Sequence, residues 1–467
     1  MHKMAPLALL LSAGLLMTGC NSDNHKTSAD TPKNVLFFLG DGMGITTLTA
    51  SRIYAVGEDG SLTIDTLPET SFIKTYSHDS QVTDSAPSMS AYMTGVKSNN
   101  GVISMDGDAT QLADCSQSAG KSVTTLLELA KAKGMGTGVV TTTRVTHATP
   151  AATYAHICNR DLETDIAAQL VPGGAGFNSA LGSGVDVVLG GGTKQFLPKD
   201  SAGSRTDGRN LITELQAKGY TYASTLNEMI AADDSKPLIG LFNGSHLSYD
   251  LDRLNGKAPT EPALSDMTAK AIDMLSQKDK GFFLMVEGGR IDHALHDTNA
   301  KRALQDTIAF DNAIKVAIDK MRVVDPDLKN TLIVVTADHD HTLVLNGYAQ
   351  RTGKTTSSQA GVLGVVKNYG GSNIGQPTVD ADGSPYSIIG FGNGSNRVDG
   401  PRSAIDDATT SADDYRQEAV FNVGAPGSET HGGTDVFLGA IGHGADSFHG
   451  VLENTAVFNK IKQAVGL

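Results

Sequence analysis

Three apolar runs in this chain each end in residues of the types that ligate metal ions. Val35-Leu36-Phe37-Phe38-Leu39-Gly40 runs into Asp41, Phe282-Phe283-Leu284-Met285-Val286 into Glu287, and Leu332-Ile333-Val334-Val335-Thr336-Ala337 into Asp338-His339. Carboxylates and imidazoles are the side chains that hold divalent ions such as zinc and magnesium, so the first chemistry these positions suggest is a metal site. In the stretch from Glu287 to His296, Asp292 and His296 lie four apart, a spacing that places both on one helix face. Taken alone, Asp292 reads equally well as an acid near the start of a solvated helix, but that leaves His296 unexplained. Asp338 and His339 are adjacent and would diverge on a strand; a loop at that point would let both face one ion, with His341 placed to orient a ligand by hydrogen bonding. A further histidine, His431, stands in Glu429-Thr430-His431-Gly432-Gly433, beside glycines that allow close backbone approach.

A nucleophile candidate sits in Val82-Thr83-Asp84-Ser85-Ala86-Pro87-Ser88. Proline two positions after Ser85 suits the first turn of a helix, which sets Ser85 at a helix N-terminus, where backbone N–H groups and the dipole favour a phosphate. The same residues also read as a plain helix cap at Asp84 or Ser85. A serine hydroxyl needs activation, and a cation at its oxygen would supply it.

The elements that must position these groups follow an α/β rhythm. Short, continuous apolar runs read as strands buried on both faces, the pattern of a parallel sheet covered by helices. In such sheets ligands bind beyond the carboxyl ends of the strands, so Asp41, Glu287 and Asp338 should meet at one edge. The spacing predicts a helix from Ser122 to Lys133 ending at Gly134, a strand over Gly138–Thr141, and an amphipathic helix from Asn299 to Met321 that feeds the strand at Leu332. From about Asn346 to Ser428 the chain is rich in Gly, Ser, Asn and Asp and reads as an insertion of loops and short strands. An apolar strand resumes at Val436–Ile441, and a closing helix follows over Val451–Val465.

Composition narrows the function. The chain has 467 residues and a net charge of −14, which argues against a general binder of nucleic acid or anionic membrane, since those need clustered Lys and Arg. Bound cations would still let an acidic protein take an anionic substrate. Residues 1–20 read as a signal peptide: Lys3 precedes an apolar stretch from Met4 to Met17, and Thr18-Gly19-Cys20 resembles a bacterial lipobox. Residues 21–32 read as a polar tether, and 33–467 as the folded domain that carries the candidate site. The expected location is therefore outside the cytoplasm, periplasmic and lipid-anchored or else secreted. Cys115 and Cys158 remain as an even pair in a compartment that permits disulfides; two independent buried thiols are the alternative.

Taken together, Asp41-Gly42-Met43-Gly44, Thr83-Asp84-Ser85, the stretch Thr141–Pro150 with His147 and Thr149, Val286–His293, Thr336–His339 and Glu429–Gly433 resemble alkaline phosphatases, in order along nearly the whole chain from Lys33. The resemblance implies an α/β fold, a central mostly parallel sheet sandwiched between helices with a crown-like insertion at about 346–428. It implies two zinc ions, one held by Asp292, His296 and His431 and the other by Asp41, Asp338, His339 and the Ser85 oxygen. It also implies one magnesium at Asp41, Thr149 and Glu287 with His147 nearby, and a phosphate clamp at Arg160. The implied reaction is hydrolysis of small phosphomonoesters through phosphoserine at Ser85, and the implied assembly is a homodimer, which no sequence feature here sets.

His147 and His293 follow the animal branch, where one bacterial branch carries Asp and Lys. Asn243 stands where animal members with a calcium site have Glu, which weakens a calcium site here. Sulfatases of the same superfamily need an Arg that the Ser85–Met89 stretch lacks, and phosphodiesterase relatives usually lack counterparts of Thr149 and Glu287. A metal- or phosphate-binding lipoprotein without catalysis is the remaining alternative, and retention of Ser85, Arg160 and all the expected ligands speaks against it.

Overall fold

The structure is a computed structural model that describes residues 33–467. The expected leader, the tether and the lipid site at Cys20 lie outside the described residues. The apolar runs form strands of one ten-stranded sheet. Its strands are β1 (Lys33–Gly40), β2 (Glu69–Lys74), β3 (Gly136–Arg144), β4 (Val187–Gly191), β5 (Thr221–Ala223), β6 (Leu238–Leu241), β7 (Gly281–Gly288), β8 (Thr331–Ala337), β14 (Val436–Gly442) and β15 (Gly450–Glu453). They lie in the order β15-β2-β14-β8-β1-β7-β3-β4-β6-β5. Every pairing is parallel except those of β14, which runs antiparallel to both β2 and β8.

Helices cover the two faces. Leu264–Leu275 and Ala300–Val324 pack on each other and on the central strands, and Ile45–Val56 joins them. Ser85–Thr94 packs between Ala148–Tyr154 and Asn454–Val465, while Leu126–Ala132 and Ala148–Tyr154 lie on β3 and β7. Because both faces are covered, β7 and β8 are buried at every residue, which is why their sequences are continuous apolar runs without alternation.

Register places the site. Gly40 pairs with Gly288 of β7 and with Ala337 of β8, and Leu39 pairs with Glu287. Glu287 therefore closes one strand at the level where Asp41 and Asp338 leave the other two. Beyond that edge, β9 (Asp340–His341) pairs antiparallel with β13 (His431–Gly432), setting His431 opposite His341. A separate three-stranded sheet joins β10 (Leu343–Leu345), β11 (Ile389–Gly394) and β12 (Ala419–Asn422).

Several boundaries differ from the sequence expectation. The helix expected from Ser122 starts at Leu126, because Thr125 caps it in a reciprocal capping box with Glu128. The closing helix starts at Asn454, because residues 450–453 pair with β2. Cys115 and Cys158 form a disulfide. Among the described residues, no helix is long and apolar enough to cross a membrane.

Candidate metal centre and nucleophile

β1 delivers Asp41 into a turn that requires glycine. Gly42 has φ of 68°, and a Cβ there would fall 2.5 Å from His341 Nε2, so the turn can pass under the histidines only without a side chain. The Gly42 amide donates to Asp338 Oδ1 at 3.0 Å, as does the His339 amide at 3.0 Å. Asp338 and His339 lie where the chain turns between β8 and β9, and they converge: His339 Nε2 is 3.4 Å from Asp338 Oδ2 and 3.3 Å from Asp41 Oδ1. Ser85 is the first residue of its helix, with Asp84 as the cap that accepts from the Ala86 amide. Its Oγ lies 3.2 Å from Asp41 Oδ1 and 3.2 Å from His339 Nε2.

A second cluster forms where the helix Arg290–His296 meets β13. Asp292 Oδ1 is 3.2 Å from His296 Nε2 and 3.5 Å from His431 Nε2, and the two Nε2 atoms lie 3.1 Å apart. The Nδ1 atom of each ring faces a backbone carbonyl, that of Glu429 for His296 and that of Thr83 for His431. Those bonds put the ring proton on Nδ1, so two lone pairs face each other across the gap. Zinc takes nitrogen and oxygen ligands at about 2.0–2.2 Å in tetrahedral sites, which sets the ligand atoms about 3.3–3.5 Å from one another. The triangle fits a cation.

A third group joins Asp41, His147 and Glu287. Thr149 Oγ1 lies 3.4 Å from Asp41 Oδ2. Glu287 Oε2 accepts from the Thr141 and Thr143 hydroxyls, whereas Glu287 Oε1, His147 Nδ1 and Asp338 Oδ2 are buried with no hydrogen-bond partner. The two orphaned carboxylate oxygens, on Glu287 and Asp338, carry a large desolvation cost unless a cation meets them.

The electrostatics agree. Burial, and after it the Asp292 carboxylate, pushes Asp41 up to about 7; burial and then Asp41 do the same to Asp338, also to about 7. Burial and Asp41 drive Glu287 well above the usual carboxylate range. Burial would raise Asp292 too, but His296, His341 and His431 around it hold it well below that range. Burial and then His339 lower His431 to about 4, leaving a neutral imidazole of the kind that binds metal.

Arg160 stands beside this pocket. Its Nη1 donates to Asp84 Oδ1 at 3.2 Å and its Nη2 lies 3.0 Å from His147 Nε2. All the residues read from the sequence as ligands, nucleophile or clamp thus gather at one sheet edge. His341 orients a ligand by hydrogen bonding, as the sequence suggested: its Nε2 reaches Asp292 Oδ1 at 2.9 Å. The sequence reading missed two supports. Glu429 Oε2 accepts from His341 Nδ1 at 2.6 Å; the signal was at hand, two residues before His431. His246 packs against His293, ring centres 4.2 Å apart, and no motif marks it. Asn243 Nδ2 donates to Glu261 Oε1 at 2.6 Å, a contact a glutamate at 243 could not make.

The sequence profile of the alkaline phosphatase family matches residues 32–467. The chain belongs to the alkaline phosphatase family. It is 37% identical to the membrane-bound alkaline phosphatase of Bombyx mori, over 94% of this chain and 81% of that one. It is 36% identical to the tissue-nonspecific alkaline phosphatase of Gallus gallus, over 91% of this chain and 83% of the other. Among solved structures it resembles the alkaline phosphatase of Thermus thermophilus, with a TM-score of 0.67, 26% identity, and 97% of this chain and 96% of that one covered. It also resembles a cold-active one from a psychrophilic Shewanella, with a TM-score of 0.64, 27% identity, and 92% and 99% covered. As an alkaline phosphatase it is a metal-dependent phosphoric monoester hydrolase.

Proposed function

We propose that this alkaline phosphatase hydrolyses small phosphomonoesters of broad kind through a phosphoserine at Ser85, with two zinc ions and one magnesium. One zinc would be held by Asp292, His296 and His431, the other by Asp41, Asp338 and His339 with the Ser85 oxygen. Asp41, Thr149 and Glu287, with His147 nearby, would hold magnesium. When bound, the ions would stabilise the charge that builds on the attacking and leaving oxygens and on the phosphoryl group.

The chain's own groups define the rest of the reaction. Ser85 Oγ attacks phosphorus and the ester oxygen leaves as the alcohol; water then displaces the seryl oxygen and inorganic phosphate departs. The Ser85 hydroxyl lies 3.2 Å from Asp41 Oδ1, which orients its oxygen; its proton is lost to water as Oγ attacks, and water returns one to the departing ester oxygen. The Ser85 oxygen also lies at the N-terminus of a ten-residue helix, where the backbone favours an arriving phosphate. Arg160 would grip two nonbridging oxygens through its planar fork, which a lysine could not match; Asp84 and His147 already aim it.

The observation that carries the reading is Ser85 Oγ set 3.2 Å from both Asp41 and His339. The test is p-nitrophenyl phosphate turnover in wild type and Ser85→Ala, each with chelator and with zinc and magnesium restored. Turnover should be lost in the variant and on chelation. Equal rates in wild type and variant would remove Ser85 from the mechanism, and faster hydrolysis of bis-p-nitrophenyl phosphate than of the monoester would make the enzyme a diesterase. The leader at Lys3–Met17 and the lipobox-like Thr18-Gly19-Cys20 support export and a lipid anchor at Cys20. The net charge of −14 supports small substrates over nucleic acid, and a homodimer follows from the family alone.

A further inference from the structure

Cys115 and Cys158 take no part in the metal groups or in the chemistry at Ser85, yet they are joined, with Cα atoms 5.5 Å apart. Cys158 is fully buried and lies two residues before Arg160. Cys115 is half-buried, on a stretch, 110–121, that mostly faces solvent. Residues 155–160 form a strap that leaves the helix Ala148–Tyr154 and ends at the clamp.

The first half of the strap is tied several times over. The His156 backbone exchanges two hydrogen bonds with the Gln169 side chain, both at 3.0 Å. Its ring bridges the Ser104 carbonyl at 2.8 Å and Glu128 Oε1 at 2.7 Å, and Ile157 pairs with Ile103 in both directions. The second half, which carries the guanidinium, depends on the exposed stretch. Arg160 N donates to the Gly101 carbonyl at 2.8 Å. Its guanidinium meets Asp84 and His147, and the ties of Cys158 and Asn159 to distant parts of the chain run to residues 111–115: Asn159 Nδ2 donates to the Leu112 carbonyl at 3.0 Å, Asn159 Oδ1 accepts from Gln111 Nε2 at 3.2 Å, and Cys158 N faces Cys115 Sγ at 3.2 Å. The covalent member of that set is the disulfide. A planar fork must meet two oxygens at once, and misplacing a binding group by about 1 Å can cost on the order of a hundredfold.

We propose that the Cys115–Cys158 disulfide is a positioning device for the phosphate clamp: it staples the exposed stretch 110–121 to the strap and holds Arg160 in line with Ser85, so its reduction loosens the grip on phosphate while the metal groups stay intact. The inference rests on the reading of Arg160 as the clamp. Reduction balances with two equivalents of an external thiol. One thiolate attacks Cys115 Sγ and expels the Cys158 thiolate, which takes up a proton; the second displaces the mixed disulfide, leaving two cysteine thiols and the oxidised disulfide of the reductant.

The test compares four metal-loaded enzymes: wild type, Cys115→Ala/Cys158→Val, Arg160→Ala, and the three changes together. The readouts are the inhibition constant of inorganic phosphate, KM and kcat for p-nitrophenyl phosphate, and metal content. Arg160→Ala should weaken phosphate binding. The cysteine pair should raise the inhibition constant and KM by about fivefold with metal content unchanged, and should add nothing in the Arg160→Ala background, because the two act through one contact. An unchanged inhibition constant in the cysteine variant, or an equal rise in both backgrounds, overturns the inference while leaving the clamp in place. If Arg160→Ala binds phosphate as wild type does, the clamp reading itself fails. Should the cysteine variant not fold, wild type treated with reduced glutathione until two further thiols per chain titrate must show the same rise, and phosphate binding unchanged in that sample overturns the proposal.

Discussion

The two halves of the centre solve the same electrostatic problem differently. At the strand ends, Asp41, Glu287 and Asp338 crowd together in full burial, and each is pushed upward by burial and by a neighbouring carboxylate. On the helix and loop side, Asp292 is equally buried but ringed by His296, His341 and His431, which hold it ionised. The second half balances part of its charge through the His341 ring, which bridges Asp292 and Glu429 and is held by them well above the usual imidazole range against burial, whereas the first waits for cations. Bound ions should therefore matter most at the sheet edge, where rigid strands hold like charges together that would otherwise part.

The largest effect that separates the halves should come from Asp41, which belongs both to the group with Asp338 and His339 and to the group with His147 and Glu287. Asp41→Asn should lower kcat/KM by about a thousandfold or more and cost two ions per chain, whereas His296→Asn should cost one. Metal analysis of the purified variants checks this, and equal ion loss in both would erase the distinction. A smaller effect is expected from the support on the other side. His341→Asn unties Asp292 from Glu429 and should weaken metal binding there by about 10–100-fold while sparing the strand-end groups, which a competition titration with a coloured chelator would show.

The smallest effect concerns the metal-free protein. Asp41 and Asp338 sit at about 7 when folded, above the ordinary value of 3.8. Folding therefore favours their protonated forms, and the stability this gives is full below about pH 4 and lost as pH rises toward 7. Asp292 shifts the other way, so its contribution is already complete by pH 5.5 and does not blur the window. The buried histidines His147, His246, His293, His339 and His431, lowered by burial, work the opposite way over the same range, so the effect is read as a difference: between pH 5.5 and 8 chelated Asp338→Asn, which cannot ionise, should gain a few degrees of Tm relative to chelated wild type, and restoring metal should abolish that difference. A difference that does not change with pH would move the strain elsewhere.

The strand-end half was legible in the sequence because a buried parallel strand leaves a plain mark, an apolar run with an acid at its end. The Asp292–His296 pair was legible through its helical spacing, borne out by 3.2 Å between Oδ1 and Nε2. Strand direction was not, since β14 reads as an apolar strand whether it runs parallel or antiparallel. Nor was the Glu429–His341–Asp292 chain, which depends on the pairing of β9 with β13 across 90 residues of sequence, a long-range event that no local period records. The disulfide stayed open for the same reason: an even count of cysteines says nothing about whether two Cβ atoms approach.

The measurement closest to the central claim is to quench the metal-loaded enzyme in acid during turnover of p-nitrophenyl phosphate and map the modified peptide by mass spectrometry. The structure, with Ser85 Oγ between Asp41 and His339, predicts a single phosphorylated residue, Ser85, absent from Ser85→Ala and from chelated enzyme. Phosphate found on another residue, or full turnover with none on Ser85, would contradict it.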